Sequence, residues 1–288
     1  MSAKFGPAGN SDAFSAVHKS SLAAPQWIAE QGLDCYEYQC GKGVHVGEDT
    51  ARRVGENARK HGISLSLHAP YFINLANPDP DSLQKTIGYI TSACLVASQM
   101  GASRVVIHSG ALMKRTRREA LDTALRSLRE VIRTCDGQGF GHIALCPETM
   151  GKINQLGDLE EVLELCTLDE RLIPCIDFGH LYARSLGADD GAEAFGRMLD
   201  RVESVLGQSR ASVFHSHFSH IQFTPGGGEK CHRTFDDDDG YGPDWAPLAR
   251  AIARRGWSPT FICESAGTRA KDALTMKRIY QEVLTAQG

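Results

Sequence analysis

Eight short apolar segments, separated by longer amphipathic segments, recur along the whole chain and constrain its fold more than any other feature. Short apolar runs of this kind are typical of parallel strands that are buried on both faces. The predicted strands are Lys4–Pro7, Cys35–Gln39, Ser64–Leu67, Arg104–Ile107, Ile143–Pro147, Ile173–Ile176, Val213–Phe218 and Thr260–Cys263. Helices are predicted between the strands, for example over Asp81–Met100 and Lys114–Cys135.

This alternation predicts an α/β protein with the (β/α)₈ architecture of a TIM barrel rather than an open, doubly wound sheet. A length of 288 residues is ordinary for such a barrel. No GxGxxG or P-loop pattern follows a predicted strand, so the sequence gives no support to a nucleotide-binding sheet. We expect a single barrel domain that spans residues 1–288.

Composition narrows the classes of partner. The net charge of −4 provides no global basic field, so any contact with DNA requires a local basic patch. The sequence shows neither a run of membrane-span length nor a signal peptide, and we expect a cytoplasmic monomer without a membrane partner. The nine cysteines include no CxxC pair and are predicted to be structural thiols, with Cys231 set apart by its position between Lys230 and His232.

Six successive predicted strands lead into a side chain that can bind a metal ion. These side chains are His68, His108, Glu148, Asp177, His217 and Glu264, and His180 follows three residues after Asp177. In a barrel the carboxyl ends of the strands converge on one face, where such groups need a partner to offset burial. Mixed imidazole and carboxylate ligands suit zinc, and also manganese or iron. The number of ligands predicts two or three ions, an arrangement that supports phosphoryl chemistry.

Other polar residues receive simpler interpretations. The histidines predicted to lie at the surface are His18, His45, His61 and His142. His220 is ambiguous, as is His215, because strand alternation places His215 on the same face as His217. Pro225–Gly228 is predicted to form a hairpin turn or a lid, and the acidic run Asp236–Asp239 is interpreted as a solvated loop.

Several motifs occur together in a recognisable order. They are HAPYFINLANP from His68 to Pro78, IHSG from Ile107 to Gly110, PET at Pro147–Thr149, CIDFGH from Cys175 to His180, HFSH from His217 to His220, and CESAG from Cys263 to Gly267. With these motifs the chain resembles the endonuclease IV family of apurinic/apyrimidinic endonucleases, which belongs to the wider group of xylose-isomerase-like barrels. The resemblance extends over most of the chain.

This resemblance implies a trinuclear zinc site and hydrolysis of double-stranded DNA 5′ to an abasic site. By position, the implied first-zinc ligands are His68, His108 and the bridging Glu148; the second-zinc ligands are Glu148, Asp177, His217 and Glu264; and His180 and His232 bind the third zinc. Manganese is an alternative metal. Glu148 and Glu264 are the implied catalytic carboxylates, and Tyr71 matches a tyrosine that enters the DNA near the lesion.

The sequence departs from the family pattern in two places. Lys230 stands where the family has the aspartate of a DxH pattern, and a protonated lysine cannot bind a metal ion. Either the third metal is missing or weak, or Glu229 takes the place of the aspartate; Lys230 could instead serve as a fixed charge near the phosphate. The loop QCGKGVHVG after the second strand lacks the family's arginine- and glutamine-bearing segment.

A cluster of four cations follows the fourth strand and is a candidate surface for the DNA backbone. The cations are Lys114, Arg115, Arg117 and Arg118, and we assign the DNA contacts to Lys114 and Arg115. The alternative interpretation is a solvated helix start.

Two other functions remain open at this stage. Glu148, Asp177, His217 and Glu264 also match the single-metal pattern of sugar isomerases and epimerases on the same barrel. A non-catalytic DNA-binding relative is suggested by Lys230.

Overall fold

The computed structural model describes residues 2–287, and its centre is a parallel sheet of eight strands. The strands of the protein are β1 (Lys4–Pro7), β2 (Cys35–Gln39), β3 (Ser64–His68), β4 (Arg104–His108), β5 (Ala144–Glu148), β6 (Cys175–Asp177), β7 (His215–Phe218), β8 (His220–Thr224), β9 (Gly228–Arg233) and β10 (Thr260–Cys263). The sheet order is β1-β10-β7-β6-β5-β4-β3-β2, so, with the β8–β9 hairpin set aside, each strand from β2 onwards pairs with the next strand in the chain, and β10 pairs with β1. The predicted (β/α)₈ barrel is therefore confirmed.

The two ends of this sheet meet between β1 and β2. Ala8 forms a parallel bridge with Glu37, and the amide of Gly9 donates to the carbonyl of Glu37 at 2.9 Å. A Cβ atom on Gly6 would lie 1.8 Å from the carbonyl oxygen of Cys35, so only glycine permits this approach. The closure makes the carboxyl ends of all eight strands face one shared mouth.

Helices cover the outside of the barrel. They are α1 (Asp12–Val17), a 3₁₀ turn (Ser21–Ala23), α2 (Ala24–Glu30), α3 (Glu48–His61), α4 (Pro80–Met100), α5 (Arg117–Gly137), α6 (Leu159–Cys166), α7 (Phe178–Arg184), α8 (Gly191–Leu206), α9 (Gln208–Ala211), α10 (Trp245–Arg255) and α11 (Arg269–Gln287). Helix α4 begins one residue before the predicted position. Helix α5 begins three residues later than predicted, because Met113 and Lys114 have positive φ angles of 51° and 61° and Thr116 forms a capping box with Glu119.

Strand alternation separates an apolar outer layer from a polar interior, and β7 shows this best. Phe214 and Phe218 face the helices, where their rings contact Trp257 and Trp245 respectively. His217 points into the barrel interior, as does His215, and both are fully buried. The same strand therefore anchors the helix layer with aromatic rings and supplies imidazoles to the interior.

The β8–β9 hairpin is an insertion between β7 and β10, and its strands are antiparallel. It confirms the hairpin interpretation of Pro225–Gly228. Asp239 in the neighbouring acidic run pairs with Arg233, and none of the metal-like clusters found among residues 2–287 includes that run. In the described part of the chain, no helix has both the length and the apolar character needed to cross a membrane.

Candidate metal centre

The carboxyl ends of the barrel strands surround a cavity of about 330 Å³. All eight side chains that the sequence predicted as metal ligands lie at or directly below this cavity. The residues are His68, His108, Glu148, Asp177, His180, His217, His232 and Glu264. Six come from the ends of β3, β4, β5, β6, β7 and β10, His180 comes from the first turn of α7, and His232 comes from β9. The hairpin therefore completes a site that the barrel alone leaves open on one side.

Glu148 is at the centre of the cluster and is only 1% exposed. Its Oε1 atom lies 2.8 Å from Nδ1 of His217, and its Oε2 atom lies 3.2 Å from Nε2 of His68 and 3.3 Å from Nε2 of His108. The two oxygens of one carboxylate thus face two different groups of imidazoles. This arrangement suits a carboxylate that bridges two ions.

A second group of ligands lies beside Glu148. One ligand atom from each of Glu148, Asp177, His217 and Glu264 lies within 4.8 Å of the others. Asp177 uses its Oδ1 atom to accept the amide of His180 at 2.8 Å, which begins helix α7, whereas its buried Oδ2 atom accepts no hydrogen bond from residues 2–287. That oxygen lies 3.3 Å from Nδ1 of His180, so its charge is offset by the imidazole alone, and a divalent cation could bind it directly.

A third group of ligands lies towards the hairpin. His180, His232 and Glu264 also bring one ligand atom each to within 4.8 Å of the others. Oε2 of Glu229 lies 3.6 Å from Nε2 of His180, and Oε2 of Glu264 lies 4.0 Å from Nε2 of His232. Two imidazoles and two carboxylates therefore surround this side of the cavity.

The imidazoles are oriented by their second ring nitrogen. His68 and His108 donate from Nδ1 to the carbonyls of Ala69 and Tyr71, at 2.7 and 3.0 Å. His180 donates from Nδ1 to the carbonyl of Thr149 at 2.8 Å, and Nδ1 of His232 lies 2.8 Å from the hydroxyl of Ser219. Each ring therefore turns Nε2 towards the cavity, as in metal sites where an outer partner sets the tautomer. His217 is oriented the opposite way and turns Nδ1 towards Glu148.

Interactions within the site lower the pKa of Glu148 and raise the pKa of two of the imidazoles. Burial alone would raise the pKa of Glu148, but the charge of His217 and hydrogen bonds from three imidazoles hold it well below its usual range. Burial lowers the pKa of both His68 and His180. The opposing effects are larger, led by Glu148 for His68 and by Asp177 for His180, and they raise each pKa to about 9. Burial raises the pKa of Asp177. Without ions, the anions at the mouth are therefore balanced by protonated imidazoles.

The donor set fits divalent cations. Imidazole nitrogens and carboxylate oxygens are ligands for zinc, manganese and iron. Such ions could bind the Oδ2 atom of Asp177, which accepts no hydrogen bond from the described residues, and the four Nε2 atoms that point into one cavity. Ligands of this number exceed the demand of one tetrahedral ion.

The hairpin register distinguishes Lys230 from its neighbour Glu229. Cys231 pairs with Gln222 and Glu229 pairs with Phe223, so Lys230 is the extra residue of a β-bulge. The bulge resets the alternation, so that Glu229 lines the cavity with His232 while Lys230 is exposed and does not line it. Of the two alternatives drawn from the sequence, the geometry favours the one in which Glu229 takes the place of the aspartate.

The predicted DNA-contact residues differ in their accessibility. The side chain of Tyr71 is 58% exposed at the rim of the cavity, and Lys114 is also exposed. Arg115 instead donates to the carbonyl of Ala76 and to the hydroxyl of Thr123, so its guanidinium holds the loop rather than facing solvent. The assignment of Arg115 to the DNA backbone therefore lacks structural support.

The other two arginines of the basic cluster are also engaged within the protein, and one lysine was missed. Arg117 pairs with Glu161, and Arg118 pairs with Glu164 and Asp122. Lys152, which the sequence analysis overlooked, lines the cavity from the loop after β5. Its position after a strand that ends in Glu148 was the available signal.

Glu37 of β2 is a second residue that the sequence analysis missed. Its carboxylate is fully buried below the cavity, where it accepts hydrogen bonds from Nε2 of His217 at 2.9 Å and from Nε2 of His215 at 2.8 Å. The charges and hydrogen bonds of these two rings outweigh the effect of burial and hold the pKa of Glu37 well below its usual range. His215 is therefore an interior residue bonded to Glu37, which resolves its ambiguous assignment.

Comparison with known proteins places the chain in a family. A family model described as a xylose isomerase-like TIM barrel matches residues 25–282. The chain belongs to the xylose isomerase-like TIM barrel family. An uncharacterized protein of Methanocaldococcus jannaschii, MJ0133, is 30% identical over 256 residues, which are 89% of this chain and 90% of that protein.

Proteins with different described activities are similar to this chain. A probable endonuclease 4 of Acholeplasma laidlawii is 27% identical over 165 residues, and the match spans 54% of each protein. The structure of endonuclease IV from Thermus thermophilus superposes with a TM-score of 0.63 at 17% identity, covering 93% of this chain and 95% of that one. A D-tagatose 3-epimerase-like protein superposes with a TM-score of 0.70 at 18% identity, covering 93% and 97%. At these identities the two structures support the fold alone.

Proposed function

We propose that this member of the xylose isomerase-like barrel family is a metal-dependent phosphodiesterase of the endonuclease IV type, which uses zinc to cleave double-stranded DNA 5′ to abasic sites. The observation that carries the proposal is the central position of Glu148. Its two oxygens face His217 on one side, and His68 and His108 on the other. A bridging carboxylate between two sets of imidazoles is suited to two adjacent ions, which are common in enzymes that cleave phosphodiesters.

The residues present would divide the ions as follows. His68, His108 and Glu148 would hold the first ion, and Glu148, Asp177, His217 and Glu264 would hold the second. His180, His232 and Glu229 would hold the third, next to Glu264. Bound divalent ions would supply Lewis acidity towards a phosphate and lower the pKa of a bound water.

The protein's own side chains would position the DNA. Tyr71 is an aromatic side chain at the rim, where it can stack against a base or fill the gap left by a missing one. Lys152 is an exposed cation that lines the cavity, Lys114 is an exposed cation in the loop after β4, and both can contact phosphates. The two lysines provide a local positive surface on a protein whose net charge is −4.

The test combines metal content with cleavage. Purified protein would be stripped of metal, reloaded with zinc or manganese, analysed for ions per chain, and incubated with a duplex that carries one abasic site. We expect two or three ions per chain and a single incision 5′ to the abasic site, with no incision of the intact duplex. Two or more bound ions together with normal DNA binding and no incision would refute the catalytic proposal and favour a DNA-binding relative.

A second candidate function is a sugar isomerase or epimerase. It is favoured by the compact four-ligand group of Glu148, Asp177, His217 and Glu264, and by the similarity to a D-tagatose 3-epimerase-like protein. In such an enzyme two carboxylates beside a single ion can shuttle protons. One ion per chain together with epimerisation of ketoses would select this candidate. A single ion would not need His68, His108, His180 and His232 as ligands, so the number of bound ions separates the two candidate functions.

A further inference from the structure

The buried carboxylate of Glu37 differs from every other outer partner at the candidate metal centre. Four of the five imidazoles at the cavity are oriented by a neutral group, either a backbone carbonyl or the hydroxyl of Ser219. His217 alone has a carboxylate behind it, because its Nε2 atom donates to Oε1 of Glu37 at 2.9 Å. Its Nδ1 atom is thereby left to face Glu148 at 2.8 Å and Glu264 at 3.6 Å.

The surroundings of Glu37 hold the carboxylate in place. Oε1 also accepts from the side-chain amide of Gln39 at 3.1 Å, and Oε2 accepts from Nε2 of His215 at 2.8 Å and from the hydroxyl of Ser66 at 3.0 Å. Four donors on a carboxylate with no exposed surface stabilise it in its ionised form. Glu37 is therefore a fixed negative charge directly behind one ligand.

The ring of His215 completes this arrangement from below. It is fully buried, its Nε2 atom donates to Glu37, and its Nδ1 atom has no hydrogen-bond partner among residues 2–287. The ring borders a cavity of about 110 Å³ at the amino-terminal end of the barrel. That volume admits water, which can satisfy Nδ1 without altering the bond to Glu37.

A metal ion between His215, His217 and Cys175 is the alternative explanation of this cluster. Each of the three contributes a ligand atom within 4.8 Å of the others. However, the Nε2 atoms of both rings are already bonded to Glu37 at 2.8 and 2.9 Å. A hydrogen-bonded support beneath the upper site accounts for these distances without an additional ion.

We propose that Glu37 is a positioning residue that fixes the tautomer of His217 and increases its basicity as a ligand, so that the ion held by Asp177, His217 and Glu264 is the most tightly bound of the centre. A carboxylate behind a ligating imidazole orients the ring and makes it a better donor to the metal. Neutral carbonyls behind the other rings provide the orientation without the charge. This inference rests on the proposed metal binding but not on the reaction that the ions support.

The test is metal affinity rather than turnover. Metal-free wild type and Glu37→Gln would be titrated with zinc in competition with a chelator, and with cobalt, whose visible spectrum reports ligand geometry. Glutamine keeps the volume and one acceptor but removes the charge. We expect the affinity for the first equivalent of zinc to fall roughly 10- to 100-fold and the cobalt spectrum to change. Glu37→Asp, which keeps the charge on a shorter side chain, should lie between the two.

Matched controls separate this effect from a loss of fold. Ser66→Ala removes one donor to Glu37 without touching His217, and should leave metal affinity within a few-fold of wild type. Asp272 is a buried carboxylate, 1% exposed, that accepts from Thr268 and from the amide of Phe235, outside the centre. Asp272→Asn should lower stability without changing the first zinc affinity. Urea unfolding of each metal-free variant measures stability separately.

The outcomes distinguish this inference from the proposed function. Unchanged zinc affinity and an unchanged cobalt spectrum in Glu37→Gln would overturn the role of Glu37 while leaving metal binding intact. If Glu37→Gln does not fold, an affinity of Glu37→Asp equal to that of wild type would overturn it as well. A wild-type protein that binds neither zinc nor cobalt would instead refute the proposed function, and the role of Glu37 with it.

Discussion

The β-bulge at Lys230 leads to a sharp test of the third ion. Glu229 and Lys230 are neighbours on β9, but only Glu229 lines the cavity. Glu229→Gln and Lys230→Gln each remove one charge and introduce the same side chain. We expect Glu229→Gln to weaken one ion selectively and Lys230→Gln to leave every ion in place.

The size of the effect follows from the number of ligands. The hairpin side of the cavity offers two imidazoles and two carboxylates, from His180, His232, Glu264 and Glu229. A zinc site built from four ligands contributes roughly 10–16 kcal/mol of binding free energy. One ligand in four corresponds to about 2.5–4 kcal/mol, which is roughly a 10²- to 10³-fold loss of affinity.

The assay is a zinc titration of the metal-free protein with the bound ions counted after gel filtration. Over free zinc buffered from picomolar to micromolar, wild type and Lys230→Gln should fill their ions at the same concentrations, and Glu229→Gln should need roughly 10²- to 10³-fold more free zinc to fill one of them. If Lys230→Gln loses an ion and Glu229→Gln does not, the assignment of the bulge to Lys230 is refuted. Identical titration curves for all three proteins would refute the role of Glu229 as a ligand.

Two further predictions concern the centre itself. Glu148→Gln should lower metal content and abolish incision of abasic DNA. In the metal-free protein it should lower the free energy of unfolding in urea by about 3–5 kcal/mol, because it leaves buried, protonated imidazoles without their anion. Full incision activity in this variant would contradict the bridging role. The second prediction uses His68 and His180, whose folded pKa of about 9 exceeds the ordinary value of about 6.5. Their contribution to the stability of the metal-free protein is complete below about pH 6.5 and is lost as the pH rises through 9, whereas zinc affinity rises over the same window because ligation needs the neutral rings. Urea unfolding and chelator competition between pH 6.5 and 9 should therefore change in opposite directions, and parallel changes would contradict the assignment of these rings as ligands.

Most of the barrel could be predicted from the sequence because strand burial leaves a strong local pattern. The bounds of β1, β2 and β10 agree with the prediction. Strands β3, β4, β5 and β6 end one residue later than predicted, each on a candidate metal ligand, and β5, β6 and β7 begin one or two residues later. The backbone pairing of the sheet therefore continues through the last residue of each of these strands. This pairing gives the side chain of that residue a defined direction.

What the sequence did not reveal depends on pairing over long distances. The bulge at Lys230 exists only relative to Gln222 and Phe223 on the opposite strand, so no local pattern shows that Glu229 rather than Lys230 faces the cavity. Glu37 was missed for a related reason, since its partner His217 is 180 positions away in the chain. A charged residue in the middle of the aromatic strand CYEYQ was the available signal.

The charge balance of the centre leads to a last prediction, which concerns metal removal. The metal-free site is already compensated, because imidazoles with raised pKa face carboxylates with lowered pKa. The apolar core lies outside the polar interior, between the strands and the helices, and does not depend on the ions. We therefore expect chelation to leave the barrel folded, with an unchanged helical signal in circular dichroism.

Chelation should nevertheless lower the melting temperature by linkage. Saturating zinc at about a thousand times its dissociation constant stabilises the native state by about 4 kcal/mol for each site. For a chain of this size each filled site therefore raises the melting temperature of the loaded protein above that of the stripped protein by roughly 8–16 °C. Loss of the helical signal on chelation at 25 °C would show that the ions carry the fold. In that case protonated imidazoles do not balance the buried carboxylates, and the electrostatic account of this centre is wrong.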